Sequence, residues 1–388
     1  VDGRYLFAGL SAPDEYTVRE VARGGWEQTA PQRRIDGDGE LTFVDLVADG
    51  SLDKTYEVVV SPDGAHVYAV AAAAITVYQR DPSSGALTSV EVLRDGFADG
   101  QGNIVSGIAG AIYGEVSPDG EHFYVVGDSN DSVGVFRRDV DTGQLTFVEA
   151  VFDGGLDAAG NLINGLVGIS GLNVSPDSTH LYVTGFSDNA LVTFLRDPAT
   201  GRLTWIEALF NGSVDGQGNV INGILTAGSP RVSPDGAFLY ATGVVQDSVA
   251  VFSREAASGR LAFVEFFAEG GYDQHGNAIP GLSNAQHLEI SPDGQNVYLV
   301  GNVDDFVAVF SRDAATGRLT LLEHLVNGGS DSLGNVIDGL DFAQTIDISP
   351  GGSHVYVQAW NDVSLVTFNR DQATGRLVFA DLLQQGGL

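Results

Sequence analysis

Ser175 to Phe210 reads SPDSTHLYVTGFSDNALVTFLRDPATGRLTWIEALF, and its grammar decides the fold. Ser175-Pro176-Asp177 opens a turn: proline presets φ, and the aspartate offers a local side-chain acceptor. An apolar run through Tyr182-Val183-Thr184 follows, then a second run, Leu191 to Phe194, closed by Arg196-Asp197. Thr200-Gly201-Arg202-Leu203 makes another turn and leads into a third run, Trp205 to Phe210. These lengths and turn residues specify short antiparallel strands joined by hairpins.

The pattern recurs. Ser-Pro-Asp-Gly or a close variant stands at Ser61, Ser117, Ser175, Ser233, Ser291 and Ser349, a first spacing of 56 residues and then a constant 58. With the run that precedes each anchor, every unit has four strands. A four-stranded unit repeated at this period buries its faces only against its neighbours, so the expected fold is all-β, a propeller of radially stacked blades. Leu41-Thr42-Phe43-Val44 repeats the fourth strand seen at Leu145 to Val148, which predicts a seventh unit ahead of Ser61. The chain then forms one domain, a seven-bladed propeller over 1–388, with blades at about 1–50, 51–108, 109–166, 167–224, 225–282, 283–340 and 341–388. In blade one, Asp2 to Phe7 reads as a second strand, or Ser11 to Asp14 as a degenerate anchor.

Composition bounds the function. Fifty-one acidic residues against nineteen basic ones give a formal charge of −32, and Lys54 is the only lysine. Such a surface repels nucleic-acid phosphates and anionic lipids and attracts cations. There is no cysteine, hence no disulfide or thiolate site, and no apolar run is long enough to imply membrane insertion. A chain starting at Val1 with no methionine is expected to have lost a leader or been trimmed. The acidity points to an extracellular or cell-surface location, with the periplasm as the other option.

The repeated Ser-Pro-Asp-Gly, Val-Tyr-Val and Asp-x-x-Thr-Gly-Arg-Leu elements resemble the lactonase-type seven-bladed propellers. Those include 6-phosphogluconolactonase-like enzymes and surface-layer propellers with a Tyr-Val-Thr-Asn signature, to which Tyr182-Val183-Thr184-Gly185 comes closest. The matching residues are turn and core positions, so the resemblance implies a fold and carries over no catalytic residue.

The anchors and the Thr-Gly-Arg-Leu turns share one face, and the long blade-to-blade connections lie on the other. Five connections carry Asp-x-x-Gly-Asn, at Asp99 and Asn103, Asp157 and Asn161, Asp215 and Asn219, Asp273 and Asn277, and Asp331 and Asn335. Asp and Asn oxygens in Gly-rich loops suit Ca2+, the one expected cofactor; the competing reading is a small hairpin in which Asp caps a turn. No organic cofactor is expected. Asp131, Asp188, Asp247 and Asp305, with Trp360 and Tyr272, are the ligand candidates on this face, since carboxylates beside aromatic rings suit sugars. His287 and Arg231, on first strands near the channel, and His275, in a face loop, are the catalytic candidates. The main functional expectation is a secreted or surface binding propeller for a glycan or protein, calcium-assisted and part of a larger surface protein. The alternative is a hydrolase of a carbohydrate lactone at the channel mouth.

Overall fold

The computed structural model describes residues 55–384. These form six four-stranded antiparallel sheets, each in simple sequential order, which correspond to units two to seven of the repeat. The reading of 1–50 as blade one lies outside the described residues. Unit two runs through Thr55–Val60, His66–Ala71, Ala74–Arg80 and Leu87–Arg94, and the other five repeat that plan. The first strands are innermost: Ala111–Val116 packs beside Thr55–Val60, Ile169–Val174 beside Ala111–Val116, and so on to Ala343–Ile348.

Second strands such as His122–Gly127 and His180–Gly185 are buried along their whole length. A strand sandwiched between two blades must be apolar on both sides. The core accordingly lies between blades rather than within one. Tyr124, Val126, Val133 and Val135 of blade three pack against Leu172, Leu181, Val183 and Phe194 of blade four, and each buried side chain of this size contributes about 1.5–3 kcal/mol.

Polar staples fix the angle between blades. Arg254, fully buried, donates to the Tyr182 hydroxyl (2.7 Å), the Gly236 carbonyl (3.0 Å) and Asp177 Oδ2 (2.8 Å), and meets His180 Nδ1 at 2.9 Å. Arg138 and Arg196 repeat this with Asp63 and His66, and with Asp119 and His122. In later blades the histidine position holds Phe238, over which Arg312 sits, or Asn296, which accepts from Arg370. His66, His122 and His180 are therefore blade-to-blade fasteners.

Candidate active site in the central channel

Each first strand has one edge with no partner in its own sheet. The free N–H groups along that edge are taken by side chains of the preceding blade: Gly114 N–H by Glu57 (2.7 Å), Val174 N–H by Glu115 (3.0 Å), Val232 N–H by Asn173 (2.8 Å) and Leu288 N–H by Ser229 (3.3 Å). Satisfying this edge requires polar residues on the inner strands. They fall at two register positions, four and two residues before each anchor serine. The first holds Glu57, Tyr113, Gly171, Ser229, His287 and Thr345, and the second Glu115, Asn173, Arg231, Glu289 and Asp347 in blades three to seven. A bulge interrupts the pairing just upstream, for instance between Ala285 and His287 and between Ala111 and Tyr113, and breaks the two-residue alternation of the strand there.

Arg231 is the centre of this set. Its Nε donates to Glu289 Oε2 at 2.9 Å, its Nη1 to the Pro230 carbonyl at 3.0 Å, and its Nη2 meets His287 Nε2 at 2.9 Å. A guanidinium only donates, so His287 Nε2 accepts from Arg231, and His287 Nδ1 faces the Ile346 N–H of the next blade at 3.5 Å. Burial, and then the neighbouring Arg231 charge, hold His287 well below the usual histidine range, so it is neutral. Burial works against the charge on Arg231, but Glu289, Glu115 and Glu57 outweigh it and raise its pKa.

Two carboxyls of the same set are shifted upward. Burial raises Glu57 to about 8 against the Gly114 N–H bond and Arg231, with Glu115 and Asp347 adding to the rise. Burial raises Glu115 to about 7 against Arg231, the Val174 N–H and the Asn173 amide. Tyr113 is pushed up to about 12 by burial and by Glu57. A fixed cation beside two carboxyls with pKa values near neutrality can stabilise a developing oxyanion and move protons in both directions.

The catalytic candidates of the sequence divide. His287 and Arg231 are brought into contact. With its Nε2 lone pair taken by Arg231, His287 orients the guanidinium. His275 does not join them: it is exposed on an insert, with Nδ1 at 3.0 Å from Thr320 in an outermost strand.

The face residues are largely occupied by blade joining. Asp131, Asp247 and Asp305 accept the N–H of Gly168 (2.7 Å), Asn284 (2.6 Å) and Phe342 (2.7 Å) on the following blade, and Asp188 accepts that of Val167 (3.0 Å). Trp360 packs edge-on against Phe342 at 5.9 Å, and Tyr272 stands 70% exposed opposite Ala278.

The five connections form miniature hairpins, with bridges such as Ala98 to Ile104 and Leu156 to Leu162. Asp157 shows how each is built. Oδ1 accepts the N–H of Ala159 and Asn161, and Oδ2 accepts the Asn161 amide and the N–H of Trp205 in the next blade's outer strand. Asp99 with Asn103, Asp215 with Asn219, Asp273 with Asn277 and Asp331 with Asn335 repeat it, reaching Phe147, Phe263, Leu321 and Phe379. About four lone-pair sites meet four N–H donors, so each carboxylate's acceptor capacity is filled. Among the described residues no group of three or more His, Asp or Glu side chains converges as a metal site.

Residues 113–214, 217–333 and 276–387 match the family model described as "Lactonase, 7-bladed beta-propeller". The chain belongs to this lactonase family. Within the described residues the family's blades are six. A 6-phosphogluconolactonase of Formosa agariphila is 33% identical over 106 residues, a stretch spanning 26% of this chain and 27% of that protein. Among solved structures, the periplasmic gluconolactonase of Pseudomonas aeruginosa superposes with a TM-score of 0.66 at 20% identity, covering 90% of this chain and 91% of that one. A Bacteroides fragilis protein provisionally assigned as a 6-phosphogluconolactonase gives 0.63 at 19% identity, covering 85% and 84%. At these identities the structural likeness establishes the lactonase fold.

Sequence reasoning passed over Glu57, Glu115, Asn173, Glu289 and Asp347. A signal was available: the residue two before each anchor is polar in five successive blades, Glu115, Asn173, Arg231, Glu289 and Asp347, inside strands that are otherwise mostly apolar.

Proposed function

We propose that this chain is a lactonase that opens a cyclic ester by hydrolysis in the central channel. The observation that carries the reading is Arg231, held rigidly by Glu289 and His287 among carboxyls raised to about 7 and about 8. Arg231 keeps N–H donors free for the ester carbonyl oxygen. Glu115, ionised above about pH 7, takes a proton from water as the water oxygen adds to the carbonyl carbon. Charge then develops on the carbonyl oxygen beside Arg231. As the ring C–O bond breaks, Glu57, protonated below about pH 8, gives its proton to the leaving alkoxide, and a hydroxy acid departs.

Family membership supports this alternative over a surface binding propeller, whose face carboxylates Asp131, Asp247 and Asp305 already join blades while Asp188 accepts an N–H within its own blade. A location outside the cytoplasm fits the acidic surface and the periplasmic neighbour. The test is pH-stat hydrolysis of aldonolactones by the full chain, corrected for uncatalysed opening. Turnover lost in Arg231→Met supports the reading, and no turnover above background refutes it.

A further inference from the structure

We infer that the lactone opened here carries no phosphate or other anionic group and is recognised as a neutral polyol. The inference rests on the lactonase reading and adds the substrate class. Among the described residues four carboxyl groups, Glu57, Glu115, Glu289 and Asp347, share the inner-strand positions with a single guanidinium, Arg231. Three of that guanidinium's five N–H bonds are already given to Glu289, Pro230 and His287. Two remain, enough for one carbonyl oxygen. A phosphate ester needs a second cationic group for its dianion.

No other arginine among the described residues supplies one. Five lie buried between blades with Asp63, Asp119, Asp177, Asp235 and Asp293, and four pair with glutamates of outer strands. Arg80 donates to the Gly64 carbonyl, and Arg94 and Arg137 stand exposed on a fourth and a third strand, outside the innermost strands.

Neutral amides stand just before His287, the partner of Arg231, in the chain. Gln286 is the bulged residue before His287 and donates to Asn284 Oδ1 at 2.7 Å, and Asn284 donates to the buried Asn302 at 2.6 Å. Amides present both donors and acceptors, as hydroxyl groups require. Beyond them, where blades six and seven meet, stand Asp304, Asp305, Asp341 and Asp362, close enough that the other three help raise Asp305 after its burial. A substrate anion at that end meets like charge.

One unit charge at about 8 Å and an effective dielectric near 20 changes binding by roughly thirtyfold. The experiment compares kcat/KM of the full chain for glucono-δ-lactone and its 6-phosphate near neutral pH, at low and high salt. The expected result is a preference of at least about tenfold for the unphosphorylated lactone, shrinking as salt screens the repulsion. A preference for the phosphate ester, or a gap that widens with salt, overturns the inference and leaves the lactonase reading standing. Hydrolysis of neither overturns both.

Discussion

The proton inventory of the channel makes the sharpest prediction. Hydrolysis needs Glu115 ionised and Glu57 protonated, with pKa values of about 7 and about 8. The competent fraction is then about 0.6 at pH 7.5 and roughly 0.03 at pH 5.5 and at pH 9.5, so kcat/KM traces a bell that falls about twentyfold over two units on either side. The two limbs are macroscopic properties of the coupled pair. Glu115→Gln keeps the shape and the Val174 N–H acceptor but cannot take a proton. It should lower kcat by about 10²–10⁴ and remove the acid limb. His287→Leu is the control: because His287 is neutral across this range, losing it weakens the hold on Arg231 while the acid limb stays where it was. The assay is initial-rate hydrolysis of an aldonolactone by NMR in buffers from pH 5.5 to 9.5, with uncatalysed opening subtracted. A flat profile, or an acid limb that survives in Glu115→Gln and vanishes in His287→Leu, refutes the assignment.

Arg231→Met should reduce kcat/KM by about 10²–10³, the usual worth of one oxyanion donor, and Arg231→Lys should recover only part because a lysine cannot hold Glu289 and His287 together. Asp157→Ala leaves the N–H groups of Ala159, Asn161 and Trp205 without their acceptor. Urea denaturation should show a loss of about 2–4 kcal/mol that calcium does not restore. Burial raises the Asp157 pKa but its N–H bonds more than offset this and leave it lowered, so its contribution is complete above about pH 4 and fades only as the pH falls through the folded-state value. Arg254→Met removes the buried donor to Asp177, the Tyr182 hydroxyl and the Gly236 carbonyl, and thermal melting should report a loss of about 1–3 kcal/mol.

The blades were legible because their determinants are local. Ser-Pro-Asp-Gly sets its own turn: Ser233 Oγ accepts the Phe238 N–H at 3.0 Å, Asp235 accepts the Ala237 N–H at 3.0 Å, and Gly236 takes a φ of 71°. Everything that turn needs lies within six residues. The Asp-x-x-Gly-Asn connections were half legible. Their hairpin follows from the Asp-to-Asn spacing. Their fourth donor, the N–H of a residue 48 positions on, is one that no local reading reports.

The channel was least legible, for a related reason. His287 and Arg231 stood out by type, yet the carboxyls around them read as ordinary strand residues because the bulge breaks the two-residue alternation that separates lumen from core. Their pKa values are not properties of any one strand. Glu115 is raised by burial and restrained by Arg231, and those two residues come from different blades of the sequence. In a repeat protein the positions that hold one blade to the next must stay the same, as Asp157, Asp215, Asp273 and Asp331 do. A site that acts on one molecule at the axis must instead be asymmetric. The place to look for chemistry in such a chain is therefore the register position where the repeat stops repeating, and here it reads Glu115, Asn173, Arg231, Glu289, Asp347.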